Sequence, residues 1–369
     1  MHAERLARVR AAMDEQGVDV CLLSVGPDLP WLIGYEAMPL ERLTMLVVPR
    51  DGDATLVVPR LEQPRVVERP DVFHVRPWGE TEDPIALVAD LVGPATNAVI
   101  GDRTWAQFVL ALQQALPSAR FGAASRVTGP LRAIKDAAEI EALRTAAAAV
   151  DRIALALQSG EIPLVGRTEA ELSAELGRRI LAEGHQRVNF AIVAAGPNAA
   201  SPHHEPGDRR IGRGEVVLCD FGGTFPTESG AGYCSDITRC VVAGDAPPAD
   251  VAEAYAVLQP AQAAAVAAGS PGTPCEDVDA AARGVIEAAG LGAHFIHRTG
   301  HGIGVEEHED PYIVTGNTTA LAAGHAYSVE PGIYLPGRFG LRLEDIVVTT
   351  SDGPEPLNRA DHDLVVVDA

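Results

Sequence analysis

The local amino-acid composition changes at residues 125–130, and this change constrains the fold more than any other sequence feature. The segment SRVTGP contains small residues and a Gly-Pro pair, which are typical of a connection between elements. The following stretch, Leu131 to Leu157, is rich in alanine and favours helix. Because 369 residues exceed one ordinary domain, we predict two domains, residues 1–128 and 129–369.

The first domain is predicted to mix helices and strands. Its apolar residues recur either at helical spacing or in short β-rich runs, and one pair of runs flanks an Asp-Gly turn signal. The predicted elements are a helix through Leu6, Val9 and Met13, a strand at 20–24, a hairpin at 44–59, a strand at 98–100 and a helix at 105–116. Its simplest role is that of a structural or dimerising module.

The second domain is predicted to open with two helices. Thr168 and Glu171 form a capping-box pattern, in which each side chain satisfies a free backbone N–H group at the start of the second helix. The later predicted elements are strands near 188–194 and 215–222, helices near 249–268 and 275–289, and strands near 327–334 and 341–349. The fold class is therefore predicted to be α/β (α+β).

Composition excludes several classes of function. The net charge of −22 disfavours binding to nucleic acid, because phosphate backbones attract positive surfaces. No apolar run has the roughly 20 residues of a membrane-spanning helix, and the charged N-terminus does not resemble a secretory signal. The five cysteines are scattered and contain no C-x-x-C pair, which disfavours a disulfide framework. We expect a cytoplasmic protein that binds neither nucleic acid nor membranes.

Two aspartates stand beside apolar strands in the second domain. Asp220 ends the run Val216 to Cys219, and Asp236 precedes the run Ile237 to Val242. A carboxylate in such a place costs several kcal/mol to desolvate unless it is paired or binds a metal. A shared cation would explain both acids, although two loop aspartates without a common role remain the alternative.

Two histidines lie in a glycine-rich segment further along. His301 is flanked by glycines that leave its imidazole unobstructed, but a lone histidine there could equally be structural. His308 stands among Glu306, Glu307 and Glu309, which we expect to favour its protonated form. This acidic segment could also be a solvated loop.

Two glutamates complete the set of candidate ligands. Glu330 lies where a strand pattern meets the turn signal Pro331-Gly332. Glu344 alternates with leucines, so that Arg342 and Glu344 share one face of a predicted strand. Four carboxylates and one imidazole suit manganese, zinc or cobalt, and two ions would balance this much negative charge.

These residues resemble those of the pita-bread metallopeptidases, which include prolidase, aminopeptidase P and methionine aminopeptidase. The resemblance covers nearly the whole chain and rests on the segments HRTGHGIGVEEHEDPYI, SVEPGIYLPG and LRLEDIVV. It implies a creatinase/prolidase-like N-terminal α/β domain followed by a C-terminal pita-bread domain. It also implies five metal ligands, which are Asp220, Asp236, His301, Glu330 and Glu344.

The resemblance assigns further roles one residue at a time. His203 matches a substrate contact near the metals, although His204 beside it could be confused with it, and His308 matches a residue that stabilises the tetrahedral intermediate. His297 is similar to a residue at the rim of the substrate pocket. Tyr334 and Arg342 resemble residues that brace the first aspartate, and Arg342 is also a candidate for substrate binding.

One segment departs from the family pattern. Fifteen residues separate Asp220 from Asp236, which is more than the family usually has. We expect the extra residues to be 225–230, because an extended hairpin tip would absorb them without changing the strand register. Asp220 therefore stays the first expected ligand.

The implied activity is hydrolysis of Xaa-Pro bonds by a prolidase-like dipeptidase. A hydroxide bridging two metals would attack the scissile carbonyl, and Glu330 would shuttle its proton. We expect Mn²⁺ as the bound ion, with Co²⁺ or Zn²⁺ as alternatives. The resemblance implies a small peptide substrate with proline at its second position, and a homodimer. Aminopeptidase P activity on longer peptides is the alternative within the family. A metal-free partner-binding module and a metal-dependent lyase are alternatives of other classes.

Overall fold

The computed structural model describes residues 1–367. These residues form two compact units. The first comprises Met1–Arg132 together with Thr227–Gly232, and the second comprises Ala133–Pro226 and the chain from Tyr233 onward. Within the described range, no helix combines the length and apolar character that crossing a membrane requires.

The first unit is built on one mixed sheet of six strands, in the order β4-β3-β2-β1-β5-β6. The strands are β1 (Val20–Leu23), β2 (Met45–Pro49), β3 (Ala54–Pro59), β4 (Phe73–Trp78), β5 (Asn97–Ile100) and β6 (Arg120–Ala123). The helices are α1 (His2–Glu15), α2 (Asp28–Ile33), α3 (Pro84–Val92), α4 (Ala106–Ala115) and α5 (Ser125–Ala133). The predicted hairpin is confirmed, since β2 and β3 pair antiparallel across the Asp-Gly turn.

The segment at 125–130 is helical, so the expectation of a loop there was wrong. Pro130 lies inside α5 and has no N–H to donate to the carbonyl of Arg126. The side chain of Gln16 takes over this acceptor, with its Nε2 3.0 Å from the Arg126 oxygen. A contact distant in sequence therefore stabilises a helix that the local sequence disfavours.

The second unit combines four long helices with twelve strands among the described residues. The helices are α6 (Ala137–Gln158), α7 (Glu169–Ala182), α8 (Ala249–Ala268) and α9 (Cys275–Ala288). The strands are β7 (Arg187–Ala195), β8 (Val216–Phe225), β9 (Tyr233–Cys234), β10 (Ile237–Ala243), β11 (Gly300–Gly302), β12 (Glu309–Ile313), β13 (Ala326–Val329), β14 (Gly332–Leu335), β15 (Phe339–Arg342), β16 (Asp345–Thr350), β17 (Gly353–Pro356) and β18 (Val365–Val367). The predicted capping box is confirmed, because Thr168 Oγ1 accepts from Glu171 N and Glu171 Oε2 accepts from Thr168 N.

The strands of the second unit form three sheets. One has the order β18-β10-β8-β7, with β9 pairing to β8, and another has the order β12-β11-β13-β16-β17. Strands β14 and β15 form a small sheet of their own. Helices α8 and α9 pack on an apolar core that includes Leu258, Val278, Leu341 and Val347.

Two stretches that we predicted as single strands are each divided in two. The stretch 327–334 breaks into β13 and β14 at Glu330-Pro331, where proline has no N–H to continue the ladder. The stretch 341–349 breaks into β15 and β16 at Leu343-Glu344. In both cases the chain passes from one sheet to another, and a candidate metal ligand lies at the break.

Candidate metal centre

Asp220 and Asp236 lie on adjacent antiparallel strands. Asp220 is within β8 opposite Thr238, and Asp236 directly precedes β10. Both side chains are buried. The register of the hairpin is continuous from Ile237 opposite Phe221 to the pair of β8 with β9 at its far end. Asp220 and Asp236 therefore lie in a hairpin of regular register, and residues 226–232 form its tip.

His301 is placed by a close approach of β11 and β13. A Cβ atom on Gly300 would lie 1.8 Å from the carbonyl oxygen of Ser328, so this position admits only glycine. The backbone N–H of His301 donates to Ser328 Oγ at 3.0 Å, and its Nδ1–H donates to the carbonyl of Gly302 at 3.1 Å. The second ring nitrogen, Nε2, is then the one available to a metal.

Glu330 lies beside His301 at the end of β13. Its Oε1 is 3.2 Å from His301 Nε2 and accepts from Ser328 Oγ at 3.1 Å. Its backbone N–H donates to the carbonyl of Thr299 at 2.8 Å. The turn signal at Pro331-Gly332 thus ends the strand where the carboxylate must face the imidazole.

Glu344 is held by a hydrogen bond from Thr238, which lies on β10, in the hairpin that carries Asp220 and Asp236. Thr238 Oγ1 donates to Glu344 Oε2 at 2.7 Å, and the two residues form an isolated antiparallel bridge. The predicted alternation holds, since Leu341 and Leu343 pack in the apolar core while Glu344 turns toward the other acids. Thr238 therefore connects the strand that carries Asp220 to the segment that carries Glu344.

The candidate ligands converge on one buried place. Asp236, His301 and Glu344 each offer a ligand atom, and these atoms lie within 4.8 Å of one another. Two buried carboxylate oxygens, Oδ1 of Asp220 and Oδ1 of Asp236, have no hydrogen-bond partner. Because unpartnered buried acceptors are costly, these oxygens fit coordination of a cation.

The electrostatics of the cluster favour added positive charge. Burial raises the pKa of Asp236 and of Glu344 well above the usual values, and the neighbouring carboxylates raise them further. Burial also raises the pKa of Glu330, but the hydrogen bond and charge of His301 outweigh it and bring the pKa to about 2. The donor set of four carboxylates and one imidazole nitrogen therefore fits hard or borderline divalent ions.

A chain of hydrogen bonds runs from Asp220 to His297. Arg342 Nη2 donates to Asp220 Oδ2, and Arg342 Nη1 donates to the hydroxyl of Tyr334 at 2.7 Å. That hydroxyl lies 2.9 Å from Nε2 of His297, whose Nδ1–H donates to the carbonyl of Arg298. Arg342 is 2% exposed, which favours its bracing role over the substrate contact that we also considered.

His308 lies against the cluster of candidate metal ligands, with its ring centroid 4.1 Å from that of His301. We expected the three adjacent glutamates to favour its protonated form, and this was wrong. Burial, followed by the charges of His301 and Arg298, lowers the pKa of His308 to about 4. Glu309 instead forms a buried ion pair with Lys135 at 2.6 Å. The His308 ring is consequently neutral near pH 7.

His203 and His204 have different surroundings. The His203 ring is exposed. Burial is the main cause that lowers the pKa of His297 and of His308, and nearby His203 lowers both slightly further. His204 Nε2 is 2.8 Å from the carboxylate of Glu169, which is fully buried. His203 is therefore the member of the pair that is placed to meet a ligand.

The sequence did not predict the residues that hydrogen-bond to the candidate ligands or form an ion pair beside them. Thr238 lies two residues after Asp236, and period-2 alternation could have placed both on one face. Arg239 and Asp345 form an ion pair at 2.8 Å, and both side chains are 0% exposed. No local pattern connects them, because 105 residues lie between them in the sequence.

Comparison with known proteins gives matches over both units. Residues 138–351 match metallopeptidase family M24, and residues 5–134 match the creatinase/prolidase N-terminal domain. The probable dipeptidase PepE of Mycobacterium tuberculosis is 44% identical over 100% of this chain and 97% of its own length.

Solved structures give the same picture. Dipeptidase PepE from Mycobacterium ulcerans is 44% identical, with a TM-score of 0.89 over 99% of this chain and 98% of that one. Prolidase from Thermococcus sibiricus is 36% identical, with a TM-score of 0.92 over 99% of each chain. The predicted architecture, a creatinase/prolidase-like domain followed by a pita-bread domain, is confirmed. The chain belongs to metallopeptidase family M24.

Proposed function

We propose that this protein is an Xaa-Pro dipeptidase that uses two divalent metal ions. The observation that carries the proposal is the pair of unpartnered buried oxygens on Asp220 and Asp236, which face the same cluster as His301 and Glu344. The names of its relatives, dipeptidase and prolidase, support the same activity. Five residues would hold the ions, namely Asp220, Asp236, His301, Glu330 and Glu344.

The residues of the chain divide the remaining work. When bound, the metal ions would supply Lewis acidity and lower the pKa of a water molecule. Glu330, fixed by Ser328, is placed to accept a proton and pass it on. The neutral ring of His308 retains one N–H, and His203 offers another donor, for the developing oxyanion and the substrate.

Arg298 favours a dipeptide over a longer peptide. Its guanidinium lies over the ring of Tyr312, 4.3 Å from the centroid, and its charge lowers the pKa of His308. It forms no ion pair with any of residues 1–367. We propose that it pairs with the free carboxylate of a dipeptide, which a tripeptide would carry one residue further away.

A comparison of three substrates tests this assignment. We expect Ala-Pro to be cleaved faster than Ala-Pro-amide and Ala-Pro-Gly. Arg298→Met should raise KM for Ala-Pro by about 10- to 150-fold, since a charged pair contributes about 1.5–3 kcal/mol. The same substitution should leave KM for Ala-Pro-amide nearly unchanged. Preference for Ala-Pro-Gly would favour aminopeptidase P activity instead.

Metal removal and a ligand substitution test the centre itself. The chelated protein should lose activity and regain it on addition of Mn²⁺, which we propose as the native ion ahead of Co²⁺ and Zn²⁺. Glu330→Gln should remain folded and inactive, whereas Glu253→Gln, an exposed glutamate on α8, should behave as wild type. Full activity of Glu330→Gln would contradict the assigned role. If the protein binds two metal ions but cleaves no peptide, a lyase would be favoured. If it binds no metal, a binding module would be favoured.

We also propose that the protein is a cytoplasmic homodimer. Family resemblance supports association through the first unit, where Leu91 of α3, Leu110 of α4 and Trp105, which directly precedes α4, are exposed. The odd number and scatter of the five cysteines support a reducing compartment. Light scattering coupled to size-exclusion chromatography measures the mass directly, and a monomer at micromolar concentration would contradict the dimer.

A further inference from the structure

Glu169, the first residue of α7, is a fully buried carboxylate outside the cluster of candidate metal ligands. Its Oε1 accepts from the backbone N–H of Ala195 at 2.8 Å, and both of its oxygens lie 3.0 Å from Nδ2 of Asn198. Its Oε2 also accepts from His204 Nε2 at 2.8 Å and from Gly207 N at 3.4 Å. One carboxylate therefore holds both ends and the middle of the segment 195–207.

These contacts are not needed to begin the helix. The capping box of Thr168 and Glu171 already satisfies the start of α7. Burying Glu169 without sufficient donors would cost several kcal/mol, so its position is stable only because the segment supplies them. The carboxylate thus organises the segment 195–207 rather than the helix.

The segment carries His203, and it is fixed on both sides of that residue. On one side, the carbonyl of Pro202 lies 3.4 Å from both Nη atoms of Arg342. On the other side, His204 is bound to Glu169. The His203 side chain itself has no hydrogen bond to the described part of the chain, so the position of its backbone sets the region that its ring can reach.

We propose that Glu169 is a positioning residue that holds His203, through His204 and the surrounding segment, at the place where a peptide substrate binds. The inference rests on the proposed function, in which His203 contacts the substrate. It adds a residue that never touches the substrate and whose effect on hydrolysis passes through His203. Loss of such positioning typically lowers reaction rates by about 10- to 100-fold.

A double-mutant cycle on the manganese-loaded full chain tests the proposal. We expect Glu169→Gln to lower kcat/KM for Ala-Pro by about 10- to 100-fold, because the amide N–H₂ would face donors that need an acceptor. In the His203→Ala background, the same substitution should change kcat/KM by less than about twofold. The control Glu171→Gln, in the same helical turn but exposed, should stay within about twofold of wild type.

Substitutions of His204 separate positioning from general damage to the fold. His204→Gln keeps an N–H donor that can reach Glu169 and should retain most of the activity, whereas His204→Leu should lose as much as Glu169→Gln. Equal losses from Glu169→Gln in both His203 backgrounds would overturn the proposal. So would equal activity of the two His204 variants, or an unchanged rate in His203→Ala alone.

Hydrogen exchange distinguishes failure of this inference from failure of the proposed function. If the wild-type protein cleaves no Xaa-Pro peptide, the activity is refuted, but the amides of Ala195 and Gly207 still report on the tether. Glu169→Gln should accelerate their exchange by at least about tenfold and leave the α9 amides unchanged. Unaltered exchange at both amides would overturn the positioning role whatever the substrate is.

Discussion

Substitution of Arg239 tests the buried ion pair that lies next to the candidate metal ligand Glu344. Arg239 Nη2 donates to Asp345 Oδ1 at 2.8 Å, and its other donors reach the carbonyls of Thr238, Glu344, Ala360 and Asp361. Burial raises the pKa of Asp345, but a hydrogen bond from His362 and the charge of Arg239 outweigh burial and hold this pKa below its usual value. The carboxylate is therefore ionised, and it depends on its partners.

Arg239→Met should destabilise the second unit by about 3–5 kcal/mol, the usual cost of leaving a buried charge without its partner. Asp345 would retain only Gln262, at 3.0 Å, and His362, at 2.7 Å. Each carbonyl left without a donor adds about 1 kcal/mol where water does not replace the guanidinium. The total is a large part of the stability of an ordinary domain.

The double variant Arg239→Met/Asp345→Asn should be less destabilised than the sum of the single variants by at least about 1.5 kcal/mol. The reason is that removing both charges leaves no isolated ion in the interior. As a control, Arg152→Met removes an exposed ion pair with Glu183 in the same unit and should cost at most about 1 kcal/mol.

Urea unfolding of the manganese-loaded protein measures these differences. All three tryptophans lie within residues 1–132, so their fluorescence follows the first unit, whereas far-UV circular dichroism also follows the second. The dichroism midpoint should shift to lower urea concentration, with an unchanged slope. A cost of Arg239→Met below about 1 kcal/mol, or additivity within about 0.5 kcal/mol, would refute the reasoning.

Two further predictions concern pH and backbone packing. Burial, aided by the charge of Lys135, lowers the pKa of His325 to about 4, so the folded state binds fewer protons than the unfolded state between pH 4 and about 6.5. The free energy of unfolding should therefore fall, by at most about 3 kcal/mol, as the pH drops through this window. The urea midpoint of His325→Gln should vary less with pH than that of the wild type. Equal variation in both proteins would contradict this. Gly300→Ala should push β11 away from β13 and lower manganese affinity, measured by equilibrium dialysis, by about 10- to 100-fold. The control Gly284→Ala lies in α9 with open space around its Cβ. It should retain the metal, and its free energy of unfolding should rise by about 0.5–1 kcal/mol. Normal metal content in Gly300→Ala would count against the packing argument.

Local signals predicted the parts of the fold that depend on short stretches of chain. The β2–β3 hairpin and the Thr168 capping box follow from a turn pair and a four-residue pattern, and both are present. The candidate ligands could be found because each stands next to an apolar run, a glycine-rich segment or a turn signal with distinctive neighbours. The place where they meet could not be derived, since it requires pairing between strands more than 100 residues apart, as in Thr238 with Glu344.

The errors arose where distant residues override local ones. The segment around Pro130 is helical because Gln16 satisfies the freed carbonyl. His308 is neutral because burial and nearby positive charge outweigh its acidic neighbours in sequence, one of which is committed to Lys135. Charge counts along the chain do not measure the field at a side chain, because the field depends on which partners are already paired.

The hairpin that carries Asp220 and Asp236 ends in a tip, Thr227–Gly232. This tip belongs to the first compact unit, where the carbonyl oxygen of Ser229 packs against Gly34. A Cβ atom on Gly34 would lie 2.3 Å from that oxygen. The first unit is therefore discontinuous along the polypeptide, and its contacts are complete only after the ribosome has synthesised residue 232. A fragment ending at Arg132 would therefore lack part of the packing of the first unit.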